Sequence, residues 1–164
     1  MLPTLPINKI LVFIDGSEGC ILAAKYAIAL AKITRAQLKA IYVVNTNLLK
    51  QLSKARIFVK IEEMNYEHDL EEDGRRYLKH VRELGERKGL TVETELLKGA
   101  VHSLAVQKID EWGADLFVMG ELEPVLSRPD TFHDETEIIF RKAACSVLVV
   151  KNADFVEQVY NLLT

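Results

Sequence analysis

The residues whose types could do chemistry are concentrated in one stretch, VMGELEPVLSRPDTFHDETEIIF, which runs from Val118 to Phe140. An apolar run there ends at Gly120, and a glycine at such a point lets backbone N–H groups approach a phosphate closely. No second glycine follows within the stretch, however, and carboxylates accumulate instead. The stretch therefore predicts either a nucleotide site or the remains of one.

The same carboxylates could instead hold a divalent cation, since oxygen ligands suit Mg²⁺, Ca²⁺ or Mn²⁺ better than zinc. The twelve-residue pattern of a calcium loop is absent from the sequence, and three of the acidic residues stand where they would stabilise the N-terminus of a following helix. We therefore expect no metal site. The residues concerned are Glu121, Glu123, Asp130, His133, Asp134, Glu135 and Glu137, with Asp134, Glu135 and Glu137 at the expected helix start.

Five short runs rich in β-branched residues predict the strands that position this loop. Four have little polar alternation, as strands buried on both faces do, and the third alternates as an edge strand does. Helices are predicted between them, and the alternation favours a three-layer α/β/α fold with a five-stranded parallel sheet. The predicted strands are Lys9–Asp15, Leu38–Val44, Leu90–Gly99, Asp115–Gly120 and Ser146–Lys151; the predicted helices start after an N-cap at Ser17 and cover about 62–88, 102–114 and 134–144.

Ligands of such sheets bind beyond the carboxyl ends of the strands, where the strand order reverses. If the first and fourth strands are neighbours, the Asp15–Gly16 turn, the Val43–Val44 end and the loop after Gly120 meet at that point. We therefore expect a ligand crevice there.

Three segments resemble the universal stress protein family, whose members are single-domain α/β proteins of the adenine-nucleotide α-hydrolase-like superfamily. They are KILVFIDGSEGCILAAKYAIALA, GADLFVMG and CSVLVVK, in this order, and the resemblance covers about residues 8 to 151. The family's opening strand ends in Asp-Gly-Ser, as IDGS does at Ile14–Ser17. The resemblance implies one domain over 1–151 with a variable insertion at about 46–63, followed by a helical extension over 152–164.

Nucleotide-binding members of this family carry the pattern Gly-x2-Gly-x9-Gly-[Ser/Thr] after the fourth strand. Gly120 fits the first glycine, whereas Glu123 and His133 stand at the second and third and Asp134 stands at the Ser/Thr position. A side chain at Glu123 fills the space of a phosphate and repels it, and Asp134 replaces a donor with an acceptor. The resemblance therefore implies a degenerate loop that does not hold ATP in the usual family mode.

The nucleoside half of the family site is retained in this chain. Asp15, followed by Gly16 and Ser17, fits the family aspartate, while Val43 or Val44 could line the adenine slot and Met119 could close it. The apolar positions would equally be filled in any buried strand. We expect no bound cofactor, and the alternative is a nucleotide sensor that binds ATP or AMP, with Mg²⁺, beside Asp15 and Gly120.

Composition and motifs exclude several functions. A chain of 164 residues with a net charge of −3 fits one globular domain without the basic face that nucleic acid requires. No apolar run approaches the roughly 18 residues of a membrane span, and Cys20 and Cys145 form no C-x-x-C pair, which favours reduced thiols in the cytoplasm. No Ser-His-Asp or Cys-His set is signalled, so we expect no enzyme. The family resemblance then implies a non-catalytic regulatory protein of the stress response.

The resemblance also implies a homodimer formed through the last strand. The tail that follows this strand places Phe155, Val156, Val159, Tyr160 and Leu163 on one helical stripe. This stripe would either extend the dimer interface or pack on the chain's own sheet, and an unidentified protein partner is a further expectation. Within the insertion, the apolar segment RIFVKI predicts a flap over the crevice or a contact surface.

Overall fold

The computed structural model describes the backbone of residues 7–54, 60–121 and 131–164, together with their side chains except at 48, 52, 53, 60–63 and 131–134. Strands and helices alternate along most of this chain, as the sequence predicts. In chain order the elements are β1 Lys9–Ile14, α1 Glu18–Thr34, β2 Gln37–Asn45, α2 Thr46–Lys54, α3 Lys60–Glu86, β3 Val92–Gly99, α4 Val101–Trp112, β4 Leu116–Gly120, α5 Thr131–Lys142, β5 Ser146–Val150 and α6 Ala153–Leu162.

The five strands form one parallel sheet in the order β3-β2-β1-β4-β5. Strands β1 and β4 are direct neighbours, with Ile10 opposite Leu116, and the strand order reverses between them. Strand β3 lies at one edge, as its alternation predicts. The sheet therefore has its expected ligand-binding end where β1 and β4 stop.

Both faces of the sheet are covered by helices, which explains why the strands contain so few polar residues. Alternate residues of β1 point to opposite sides: Ile10, Val12 and Ile14 belong to the core under α1, α3 and α6. Leu11 joins Phe117 of β4 in the core under α4 and α5. The predicted three-layer α/β/α architecture is confirmed.

The segment after β2, interpreted from sequence as a variable insertion, begins with a helix that the sequence did not predict. Helix α2 follows β2 without a loop, and Leu49 on its inner side is only 2% exposed. Its nine residues carry leucines at helical spacing, Leu48, Leu49 and Leu52, but no capping box marks its start. Residues 55–59, which hold most of the RIFVKI segment, lie outside the described residues.

Gly74 lies inside α3, although glycine has a low helix propensity. A Cβ atom at Gly74 would come within 2.6 Å of the Leu96 and Tyr42 side chains, because the helix backbone lies directly on them. The glycine therefore brings α3 close to β2 and β3, and this close contact accounts for its place in the helix.

The tail forms α6 and packs within its own domain, against helices rather than directly on the sheet. Val156 and Tyr160 are buried in the same core as residues of α1 and α3. The Tyr160 hydroxyl donates a hydrogen bond of 2.7 Å to the carbonyl of Leu84, in the last turn of α3. On the outer side of the stripe, Phe155 remains 49% exposed.

Replacing Tyr160 by phenylalanine is expected to lower the free energy of unfolding by about 1–2 kcal/mol, because a buried hydrogen bond to a helix-terminal carbonyl is lost. Chemical denaturation followed by circular dichroism measures the change. Tyr26→Phe is the control, since Tyr26 lies on α1 facing the same helix, with its ring 6.4 Å from that of Phe155. Equal losses in the two variants would contradict a specific role for the Tyr160–Leu84 hydrogen bond.

Candidate functional site

The turn after β1 is held together by Asp15. Its Oδ1 atom accepts hydrogen bonds from the Ser17 backbone N–H at 2.9 Å and from the Ser17 hydroxyl at 2.6 Å. Gly16 adopts a φ of +85°, which suits glycine, and Ser17 Oγ in turn accepts from the Cys20 N–H as the N-cap of α1. The Asp-Gly-Ser sequence therefore has a local structural role as well as its position at the crevice.

Gly120 ends β4 in direct contact with the first turn of α1. A Cβ atom at this position would lie 2.5 Å from both the carbonyl carbon and the oxygen of Gly19, and 2.9 Å from the Cys20 nitrogen. Backbone atoms cannot move aside as the end of a flexible side chain can. Packing alone therefore requires a glycine at position 120. This glycine is the one that the chain retains from the family's phosphate pattern.

A cavity of about 210 Å³ lies at the carboxyl ends of the strands. Asp15, Val43, Val44, Met119 and Gly120 all line it, so the structure brings together five of the seven residues predicted from sequence. Gly16 and Ser17 belong to the adjacent turn and do not line it. Ligand binding at these residues stays a prediction.

Helix α2, within the predicted insertion, and the part of α3 that follows the insertion supply a wall of this cavity whose residues sequence reasoning missed. Leu49 of α2 and Tyr66 and Leu70 of α3 line it beside Tyr42 of β2. The signal was the position of the insertion directly after β2, whose carboxyl end forms the crevice. Helices α2 and α3 therefore narrow the site and add aromatic and aliphatic surface to it.

Tyr42 is buried beside carboxylates at the start of α1 and on α3. Its ring stacks on that of Tyr77, with centroids 6.4 Å apart and an interplanar angle of 7°. Burial raises the pKa of Tyr42 to about 12, with Asp73 and Asp15 acting in the same direction. The hydroxyl therefore stays protonated at neutral pH.

Glu135 also lines the cavity, and the structure corrects the role predicted for it. Helix α5 begins at Thr131, so Glu135 lies beyond its first turn. The Glu135 Oε2 atom accepts from the His102 backbone N–H at 2.7 Å and lies 2.6 Å from His102 Nδ1, at the start of α4. Its carboxylate thus stabilises the N-terminus of a neighbouring helix rather than its own.

The other acidic residues predicted as helix-stabilising or metal-binding groups make local ion pairs where the structure describes them. Glu137 also lies beyond the first turn of α5 and pairs with Arg141 at 2.6 Å, so it too does not stabilise the helix start. Glu121 is exposed and lies 3.7 Å from Lys151. Among residues whose side chains are described, no group of three or more acidic, histidine or cysteine side chains could hold a metal ion. Glu123 and Asp130, and the side chains of His133 and Asp134, lie outside the described residues.

The two cysteines are free thiols. Cys20 is buried at the start of α1, and burial, reinforced by the charge of Asp15, raises its pKa to about 11. Burial also raises the pKa of Cys145. A nucleophilic thiolate at neutral pH is therefore disfavoured at both positions.

None of the helices in the described part of the chain is both long and apolar enough to cross a membrane.

Comparison with known proteins extends the likeness over nearly the whole chain. Residues 6–151 match the model of the universal stress protein family. The universal stress protein MJ0531 of Methanocaldococcus jannaschii is 34% identical over 144 residues, which are 88% of this chain and 82% of that protein.

Solved structures agree in fold. A universal stress protein family member from Burkholderia pseudomallei is 26% identical with a TM-score of 0.69, over 92% of this chain and 100% of the other. A universal stress protein from Archaeoglobus fulgidus, solved in complex with dAMP, has a TM-score of 0.60 at 14% identity, over 90% of this chain and 100% of the other. With its five-stranded parallel sheet covered on both faces, this chain belongs to the universal stress protein family.

Proposed function

We propose that this universal stress protein is a non-catalytic regulatory module of the stress response that does not hold ATP in the family's usual mode. The observation that carries the proposal is the charge of the crevice. Its described lining residues include two carboxylates, Asp15 and Glu135, and no lysine, arginine or histidine. Asp15 resembles an aspartate that nucleotide-binding members of the family also carry, so the charge of Glu135 is the part of this lining that opposes a triphosphate.

The size of this opposition is considerable. A carboxylate and a phosphate charge about 5 Å apart repel each other by roughly 3 kcal/mol at an effective dielectric constant of about 20. Lys151, a cation near the end of β4, lies 3.7 Å from Glu121, which offsets its charge. In the sequence, Glu123 and Asp134 place two further carboxylates at positions where the family pattern has glycine and Ser/Thr.

The retained Gly120 does not weaken the proposal, because its contact with Gly19 requires a glycine whether or not a phosphate binds. Gly120 is the one position of the phosphate pattern that this chain keeps, and packing explains it without phosphate binding.

Local chemistry supports a non-catalytic role. Asp15 is engaged in the turn with Ser17, and Cys20 is a buried thiol with a raised pKa. His102, the histidine nearest to the crevice, contacts Glu135 rather than a nucleophile. These residues position helices, and none forms a pair of nucleophile and base.

Assembly and location are part of the same proposal. Strand β5 lies at the edge of the sheet and carries half-buried Val147 and Val149; Val149 and the 44% exposed Phe140 of α5 line the same surface depression. We propose a homodimer in the cytoplasm. Its interface would form along β5, because an apolar edge strand can pair with a second copy. The exposed Phe155 of the tail adds surface for that copy or for another protein partner.

A nucleotide sensor is the second candidate function. Apolar surface at Val43, Val44 and Met119 suits an adenine ring, and a related structure contains dAMP. A nucleotide with one phosphate would carry less charge toward Asp15 and Glu135 than ATP does. Micromolar binding of AMP without binding of ATP would favour this function.

Calorimetric titration with ATP and AMP, each with and without Mg²⁺, tests the proposal. We expect no saturable binding of ATP to the natural chain. The control is a variant in which Glu123→Gly, His133→Gly and Asp134→Ser restore the family pattern, and tighter binding of ATP to it would assign the loss to these positions.

A further inference from the structure

The crevice combines aromatic surface with negative charge. Phe13, Tyr42 and Tyr66 contribute rings to its lining, while Asp15 and Glu135 contribute carboxylates. Aromatic faces and carboxylates are the two groups that attract organic cations, the first through the ring quadrupole and the second through its charge. The lining therefore has the composition of a site for a cation rather than for an anion.

Both carboxylates retain capacity to accept further hydrogen bonds. An ionised carboxylate offers about four lone-pair sites. The turn after β1 uses the Oδ1 atom of Asp15, and the contacts with His102 use the Oε2 atom of Glu135. Asp15 is exposed and Glu135 is half-buried, so a ligand in the cavity can reach both.

Two cationic side chains near the crevice, among the residues that the structure describes, are engaged in other contacts. Lys98, whose residue is opposite Val44 in the sheet, pairs with Glu71 of α3. Lys151 lies beside Glu121. Glu135 contacts His102 through its Oε2 atom, which leaves its Oε1 atom outside that contact. The charge of the crevice is thus available to a ligand.

We propose that this crevice binds a small organic cation, in which a protonated amine or quaternary ammonium is carried on an aromatic or aliphatic body. The ammonium group lies against Asp15 and Glu135, and the body fills the space lined by Val43, Leu49 and Met119. The inference rests on the proposed function, because an anionic nucleotide would occupy the same cavity with the opposite charge.

A series of probes that differ in charge tests this assignment on the natural chain. The probes are 2-phenylethylamine, 2-phenylethanol and 3-phenylpropanoate, which are cationic, neutral and anionic at neutral pH and similar in size. Titrations followed by amide chemical shifts should place the amine at residues such as Val44 and Met119. We expect the amine to bind about tenfold more tightly than the alcohol, and the anion most weakly.

Substitutions of the two carboxylates test whether they cause the preference for the amine over the alcohol. Asp15→Asn and Glu135→Gln keep an acceptor oxygen for the turn and for His102 but remove the charge, and each should reduce the preference for the amine about fivefold. Glu137→Gln is the matched control, since Glu137 is exposed on the same helix and does not line the crevice. Amide spectra of each variant report whether it has folded.

Equal affinity for the three probes in the natural chain, or shifts confined to residues outside the crevice, would overturn the assignment, and this result does not depend on the folding of any variant. Titration of ATP on the same sample separates the two proposals. ATP binding at micromolar concentration contradicts the proposed function, whereas failure of the amine series with no ATP binding contradicts only the cation site.

Discussion

Replacement of Gly120 by alanine is expected to lower the free energy of unfolding by about 3 kcal/mol. The added methyl group would lie 2.5 Å from the carbonyl carbon and oxygen of Gly19, so β4 and the first turn of α1 would have to separate. Both segments are fixed by their own hydrogen bonds, which makes this separation costly. Chemical denaturation of the variant measures the loss.

Gly113→Ala is the matched control for this substitution. Gly113 ends α4 with a φ of +73° and has no atom within 4 Å of an added Cβ, so only backbone strain of roughly 1–2 kcal/mol is expected. If Gly120→Ala costs no more than Gly113→Ala, the contact with Gly19 does not explain why a glycine stands at position 120.

Raising the pH from 9 to 12 is expected to destabilise the fold by up to about 5 kcal/mol. Burial raises the pKa of Cys20 from 9.0 to about 11 and that of Tyr42 from 10.0 to about 12. Above pH 9 the unfolded chain loses these protons first, so it binds fewer protons than the folded chain and is favoured as the pH rises. The stability is fully present below pH 9 and is lost as the pH passes through 11 and 12.

Urea denaturation at a series of pH values, followed by the fluorescence of Trp112, measures this dependence. Cys20→Ala should remove the part of the loss between pH 9 and 11, and Tyr42→Phe the part between pH 10 and 12. Loss of stability in parallel for the natural chain and both variants would show that other groups are responsible. The raised pKa of Tyr160 adds a smaller loss in the same direction.

Patterns confined to neighbouring residues predicted most of the fold. Apolar runs identified four strands, because a strand covered on both faces needs apolar residues at every position, and polar alternation identified the edge strand β3. Ser17 marked the start of α1 correctly, since a cap depends on residues a few positions away. The sequence left the pairing of β1 with β4 as a condition for the ligand crevice, and the structure meets this condition.

Features that depend on distant contacts could not be predicted in this way. The approach of Gly120 to Gly19 is set by how closely α1 packs on β4, and neither segment shows that distance in its sequence. Likewise, Glu135 was assigned to the start of its own helix because the contact with His102 joins two elements 33 residues apart. Tyr66 and Leu70 were missed because they reach the crevice from α3.

These contacts also change what the crevice indicates about function. From sequence, Gly120 was the one retained mark of a phosphate site and Glu135 a helix-capping residue. In the structure Gly120 is required by packing, and Glu135 faces the cavity together with Asp15. The proposed function therefore depends on the charge of the cavity lining, which would oppose a polyphosphate, and not only on the loss of glycines from the loop.

Titration of Mg²⁺-ATP into the natural chain by calorimetry is the most direct test of this central claim. We expect no saturable heat up to about 1 mM ATP. A dissociation constant of about 1 mM corresponds to a binding free energy of only about 4 kcal/mol, and the repulsion between the phosphates and the two carboxylates is of similar size. Stoichiometric binding of ATP with a micromolar dissociation constant would contradict the claim.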